Sequence, residues 1–192
     1  HAGSALLRPW LRAIEAAAGR VVLVPGGGPF ADAVRDAQAT MQFDDAAADE
    51  MALLAMAQFG RALVALGTCC VMAETLAEIA RAQQSARVPV WSPLALRPEA
   101  ANLPRNWDVT SDSLAAWLAA RLGARLLLVK RMRPVPGATL HGLAQAGLVD
   151  RAFPLAAAGL GGVWIAGPDD RPGVLDPLSL IHISEPTRQA EI

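Results

Sequence analysis

Arg20-Val21-Val22-Leu23-Val24-Pro25-Gly26-Gly27-Gly28-Pro29-Phe30 is the stretch that decides the fold. It opens as a short, β-branched apolar run, the composition of a strand buried on both faces of a parallel sheet. Three glycines stop the strand, and Pro29 suits the first turn of a helix, where a missing N–H costs little. Glycine lets the backbone approach a ligand without interference from Cβ, and the free N–H groups opening the next helix favour an anion. The stretch therefore reads as a phosphate cradle at Gly26, Gly27 and Gly28; the plainer reading is a tight turn. It is neither Gly-x-Gly-x-x-Gly nor a glycine loop followed by Lys-Ser/Thr, which weighs against dehydrogenases and P-loop enzymes.

Upstream of the strand, Leu6, Leu7, Trp10, Leu11 and Ile14 recur at helical spacing across residues 5–19. Downstream, the pattern predicts a helix from Phe30 to about Ala39 and a longer one over 44–66, with Asp44 and Asp45 favouring its start. An apolar run at Cys69–Met72, a helix near 75–84, a strand at Val88–Trp91 and a Pro-rich loop from Pro93 to Asn106 follow. A helix then enters at Thr110-Ser111-Asp112-Ser113 and ends at Gly123. After it come a strand at Arg125–Val129, a short helix around 140–147 and a last strand at Gly162–Ala166. Strands alternating with helices imply a three-layer αβα sandwich with a mainly parallel central sheet.

At 192 residues, 53 % of them hydrophobic, the chain can bury one substantial core. Its formal charge of -1, from 17 basic and 18 acidic residues, carries no footprint of a nucleic-acid or anionic-membrane partner. No apolar run is long enough to span a bilayer as a helix. The two cysteines, Cys69 and Cys70, are adjacent, a poor arrangement for a mutual bridge. They point to a reducing compartment, and the cytoplasm is the expectation.

Lys130 is the sole lysine among the 17 basic residues, and it stands at the carboxyl end of a strand. Ligands bind at such ends in open α/β sheets, and an ammonium is a good point-charge partner for phosphate. The plainer reading is a solvated strand-end lysine. Arg131, beside it, is a candidate for nucleotide phosphates. Asp112 is read as an organiser of cations or metal around a transferring phosphoryl, with Thr110 or Ser111 touching acceptor or nucleotide; the plainer reading is a helix cap with a dipole-favoured acid. Cys69 and Cys70 sit in an apolar run with no histidine near them in sequence, and read as core. His141 has no clustered partners, so no dedicated metal cage is expected.

These motifs, in this order, resemble those of the amino acid kinase superfamily, the aspartate, glutamate and uridylate kinase type: Val21 to Gly28, then Trp107-Asp108-Val109-Thr110-Ser111-Asp112-Ser113, then Leu126 to Lys130. Pro25-Gly26-Gly27-Gly28-Pro29-Phe30, Phe43-Asp44-Asp45 and Gly147-Leu148-Val149-Asp150 followed by Phe153-Pro154 resemble most a subgroup linked to methanofuran-type cofactor synthesis. There the enzyme phosphorylates an aminomethylfuran phosphate to a diphosphate. The resemblance implies an ATP-dependent phosphotransferase in a homo-oligomer, with Mg²⁺ and ATP near Lys130 and Arg131. It also implies an acceptor phosphate near Gly26 to Gly28 and Asp112 between the two. Rival expectations are a kinase for a nucleoside monophosphate or an amino-acid carboxylate, and a non-catalytic binder of nucleotides or oxyanions.

The superfamily normally begins with a strand ending Lys-x-Gly-Gly-Ser, whose lysine stabilises the transferring phosphoryl; His1-Ala2-Gly3-Ser4 is no substitute for it. The first strand is expected to be missing, and with it most kinase activity. Leu178 to Arg188 resembles the translation of a transposon-type sequencing adaptor, with Gln189 to Ile192 as its continuation. A single domain over residues 1–177, followed by a non-native tail at 178–192, is the expected organisation.

Overall fold

The computed structural model describes residues 2–95, 102–167, 170 and 180–183. In chain order the elements are α1 (Ala2–Ala16), β1 (Val22–Pro25), α2 (Gly28–Met41), α3 (Asp45–Leu66), β2 (Cys70–Ala73), α4 (Leu76–Gln84), β3 (Val88–Trp91), α5 (Ser111–Leu122), β4 (Leu126–Val129), α6 (Leu140–Gln145), α7 (Phe153–Ala156), β5 (Val163–Ala166) and β6 (Leu180–Ile183). The strands form one parallel sheet in the order β2-β3-β1-β6-β4-β5.

Successive residues of a strand point to opposite faces, and the two central runs obey this through two separate cores. Val22 and Val24 of β1 join Leu126 and Leu128 of β4 beneath Leu114, Leu118 and the alanines of α5. Val21 and Leu23 join Leu127 and Val129 beneath Trp10, Leu11 and Ile14 of α1 and Phe59 and Leu63 of α3. The result is the expected helix-sheet-helix sandwich, and it explains why these strands read as unbroken apolar runs.

Local signals set most boundaries. Asp44 caps α3 by accepting from Ala47 N at 2.8 Å. Thr75 and Glu78 form a reciprocal capping box on α4. Gly123 ends α5 in the left-handed conformation, φ 60°. Two elements depart from expectation. No helix is expected between 147 and 162, yet Pro154 sits in the first turn of the short helix α7, which carries the fully buried Phe153 into the first core. The expected last strand was Gly162–Ala166, with residues 178–192 outside the fold. Four of those residues, Leu180–Ile183, instead form β6 between β1 and β4, with Ile181 opposite both Leu23 and Leu127. The backbone reason is that a strand in this slot satisfies the open ladders of both neighbours, and Leu-Ile-His-Ile is a β-prone run. Of the Pro-rich loop, residues 96–101 lie outside the described residues.

Both thiols are free. Burial, followed by the Glu15 charge, pushes Cys70 up to about 12 and raises Cys69 as well. Cys70 is a core group, as its apolar context predicts, and Cys69 is half-buried against the same core. A thiol-specific disulfide reagent at mildly alkaline pH is expected not to modify Cys70 at an appreciable rate until denaturant is added; rapid modification of Cys70 in the native protein would contradict this placement.

After β1 the chain builds β3 and β2 on one side, and β4 and β5 lie on the other. This reversal opens a crevice at the carboxyl ends of β1 and β4, where open α/β sheets bind ligands.

Candidate active site

A cleft of about 560 Å³ occupies that crevice. Gly26, Gly27, Gly28, Thr110, Ser111, Asp112, Lys130 and Arg131, the residues nominated from sequence, all line it. They arrive from three places: the β1–α2 turn, the amino end of α5 and the segment leaving β4.

Lys130 continues the β4–β5 ladder, its N–H donating to Ala166 O at 2.8 Å. Its ammonium donates to both carboxylate oxygens of Asp112, at 2.7 and 2.6 Å. The two side chains are only 9 % and 5 % exposed. This is not a solvated strand-end lysine. A buried pair of this kind holds each charge in place, and loss of either partner strands the other.

Asp112 meets Lys130 while a more distant carboxylate caps α5. Thr110 stands at the cap position in extended conformation, but its side chain makes no bond to the helix. Asp150 takes over: Oδ2 accepts from Thr110 N at 2.8 Å, Thr110 Oγ1 at 2.9 Å and Ser113 N at 3.0 Å, and Oδ1 accepts from the Ser113 hydroxyl. Burial raises the Asp150 carboxyl above its ordinary value, and the Asp112 charge adds to the rise against the pull of those donors. Asp150 was not among the nominated residues. It lies in the apolar-flanked segment after Gly147, and its capping role reaches across nearly forty residues of chain.

The glycine triplet has two duties. Gly28 has φ +52°, and a Cβ there would stand 3.2 Å from the Phe59 ring; one on Gly27 would stand 2.3 Å from Ala31 Cβ. The triplet thus lets α2 pack on α3 as well as leaving its backbone open to the cleft. Beyond it, Arg35 lies 4.2 Å over the Trp107 ring and pairs with Asp32 at 3.3 Å. Burial lowers its guanidinium, against the Asp32 charge. Trp107 Nε1 donates to Gln38 Oε1 at 2.6 Å, and Arg105 pairs with Asp49 at 3.0 Å and Glu50 at 2.7 Å. These contacts clasp the segment before α5 onto α2 and α3. Arg35 and Asp49 also line the cleft and were missed, because neither forms a motif with a near neighbour.

Arg131 is exposed at the cleft, whereas Arg133 is turned to Asp170 and does not line it. His141 is exposed and lies outside the cleft. Among the described residues no group of three or more His, Cys, Asp or Glu is placed to hold a metal, and no helix is long and apolar enough to cross a membrane. Chemically, the cleft offers cations at one end and backbone N–H groups beside Arg35 at the other, with a paired carboxylate between. Such a surface suits two anionic groups brought together.

Comparison with known proteins follows the same line. Over 110 residues the chain is 24 % identical to [5-(aminomethyl)furan-3-yl]methyl phosphate kinase of Methanocaldococcus jannaschii, a match covering 57 % of the chain. The chain spans about half the length, 50 %, of that curated relative. The crystal structure of uridylate kinase from Archaeoglobus fulgidus has the same fold, with a TM-score of 0.66 at 14 % identity, covering 95 % of this chain and 93 % of that one. Residues 2–132, well over half of the sequence and including the glycine turn, Asp112 and Lys130, match the profile described as the amino acid kinase family: the chain belongs to that family.

Proposed function

We propose that this cleft is the phosphoryl-transfer site of an ATP-dependent small-molecule kinase, with nucleotide phosphates at Lys130 and Arg131 and a phosphorylated acceptor at Gly26–Gly28. The observation that carries the reading is the buried Lys130–Asp112 pair facing the glycine turn across one cleft. Phosphoryl transfer asks little covalent chemistry of a protein; it needs the two substrates aligned and the charge on the transferring group neutralised. Lys130 supplies a fixed cation. Asp112 holds that cation at one place, so no reorganisation is needed when charge develops. Thr110 and Ser111, at the rim of α5, are contacts for the acceptor. The free amides opening α2 receive its phosphate.

Magnesium would enter with ATP, needing only one or two protein carboxylates, and would supply neutralisation of the phosphate charge. The donor set suits that role: Asp112 is the carboxylate lining the cleft beside Lys130. The match to the methanogen kinase supports an acceptor of the aminomethylfuran phosphate kind, and hence a place in methanofuran-type synthesis. A cytoplasmic homo-oligomer is the setting proposed for it.

The test is isothermal titration with Mg·ADP. Saturable binding is expected for the chain, with at least tenfold loss in the double variant Asp112→Asn with Lys130→Met, which removes the pair without stranding either charge. Absence of binding, or equal affinity in the double variant, would overturn the proposal.

A further inference from the structure

We infer that Arg35 is the residue by which the cleft selects an anionic acceptor, its guanidinium and the Gly26–Gly28 backbone together forming the subsite for a phosphate or carboxylate group. This rests on the two-ended reading of the cleft given above. Gly28, Ala31 and Arg35 follow one another at i, i+3 and i+7 on α2, so they share a face, and all three line the cleft. Helical side chains lean toward the amino terminus of their helix. The Arg35 side chain therefore heads over Ala31 toward the glycine turn, and the small residues at 28 and 31 leave the floor between them open.

The guanidinium is also held ready. One face lies against Trp107, and the indole is pinned by Gln38. Of its five N–H donors, the one hydrogen bond among the described residues goes to Asp32, at a long 3.3 Å, from the adjacent turn of the same helix. Leu53, Met56, Val109 and Leu148 line the same cleft and exclude water from what binds there, which strengthens any charge-assisted bond that Arg35 makes. A planar fork in this position suits a flat or tetrahedral oxyanion, and a lysine would not reproduce it.

The alternative role is structural: Arg35 would do no more than shelve Trp107. Titration of the chain with inorganic phosphate and, separately, with Mg·ADP tells the two apart. Arg35→Gln is expected to weaken phosphate binding by about tenfold to a hundredfold, the usual worth of a charge-assisted hydrogen bond, and to leave Mg·ADP within about twofold. Arg35→Lys, which keeps the charge and serves if the glutamine variant does not fold, is expected to lose phosphate affinity several-fold with the same sparing of nucleotide. Phosphate affinity unchanged in both variants overturns the inference, as does a parallel loss of phosphate and nucleotide or no phosphate binding by the unaltered chain. If the unaltered chain binds phosphate through Arg35 but no Mg·ADP, the kinase reading fails and the Arg35 subsite stands.

Discussion

Lys130→Met is expected to lower the stability of the fold by about 3–5 kcal/mol, the usual result of removing one partner from a buried ion pair. The cause is what remains. Asp112 is 3 % exposed, and without the ammonium its carboxylate loses the cation that both of its oxygens contact. In a domain of this size such a loss moves the midpoint of thermal unfolding down by roughly 6–20 °C. Asp112→Asn alone strands the ammonium and is expected to destabilise comparably. The double variant, with no charge left to strand, recovers much of the loss. A thermal-unfolding cycle over the four proteins measures this coupling; additive single effects would show that the two side chains do not hold one another. The cycle also separates stability from function, since the double variant folds better than either single variant while lacking the cation proposed for the nucleotide.

Asp150→Ala is the second large effect, a loss of about 3 kcal/mol. Four donors converge on this one carboxylate, two of them backbone N–H groups at the start of α5. Removing it leaves a helix end without its cap. Asp150→Asn keeps an oxygen acceptor and removes the charge, so most of the stability is expected to remain. The pH dependence follows from the direction of the shift. The folded-state carboxyl is raised by burial and then by Asp112, so the folded chain binds the proton more tightly than the unfolded one. The penalty for ionising Asp150 is present above its folded value and is relieved as pH falls toward the ordinary carboxylate range. Wild type is therefore expected to gain stability relative to Asp150→Asn as pH falls from neutral toward the ordinary carboxylate range, read from paired thermal unfolding. A constant difference across that range would contradict the raised carboxyl.

What the sequence disclosed, and what it hid, divides by the range of the interaction. Apolar runs such as Leu126–Val129 and glycine stops such as Gly123 act within a few residues, so strands, helix ends and the sandwich were legible. The site residues that were legible were those placed by a local event: three glycines after a strand, a hydroxyl-rich helix start, a lone lysine at a strand end. Arg35, Asp49 and Asp150 were not, because their partners are brought to them by the fold. Arg105 reaches Asp49 across 56 residues, and Asp150 reaches Thr110 across 40. Thr110-Ser111-Asp112-Ser113 shows the limit most clearly. The segment does start a helix, yet the cap comes from Asp150 and the acid of the motif is turned to Lys130. The strand at 180–183 was missed for a different reason. Its letters resemble a translated adaptor, whereas pairing in a sheet depends only on backbone groups and a tolerable β-propensity.

The central claim is that one cleft holds a nucleotide and an acceptor phosphate side by side. Its most direct test is calorimetric titration of the chain with inorganic phosphate, without and with saturating Mg·ADP. Separate subsites at Lys130 and at Gly26–Gly28 predict that both ligands bind together, with phosphate affinity kept within about tenfold, a change of about 1.4 kcal/mol. Mutual exclusion, in which Mg·ADP abolishes phosphate binding, would contradict the account and leave a single oxyanion site in its place.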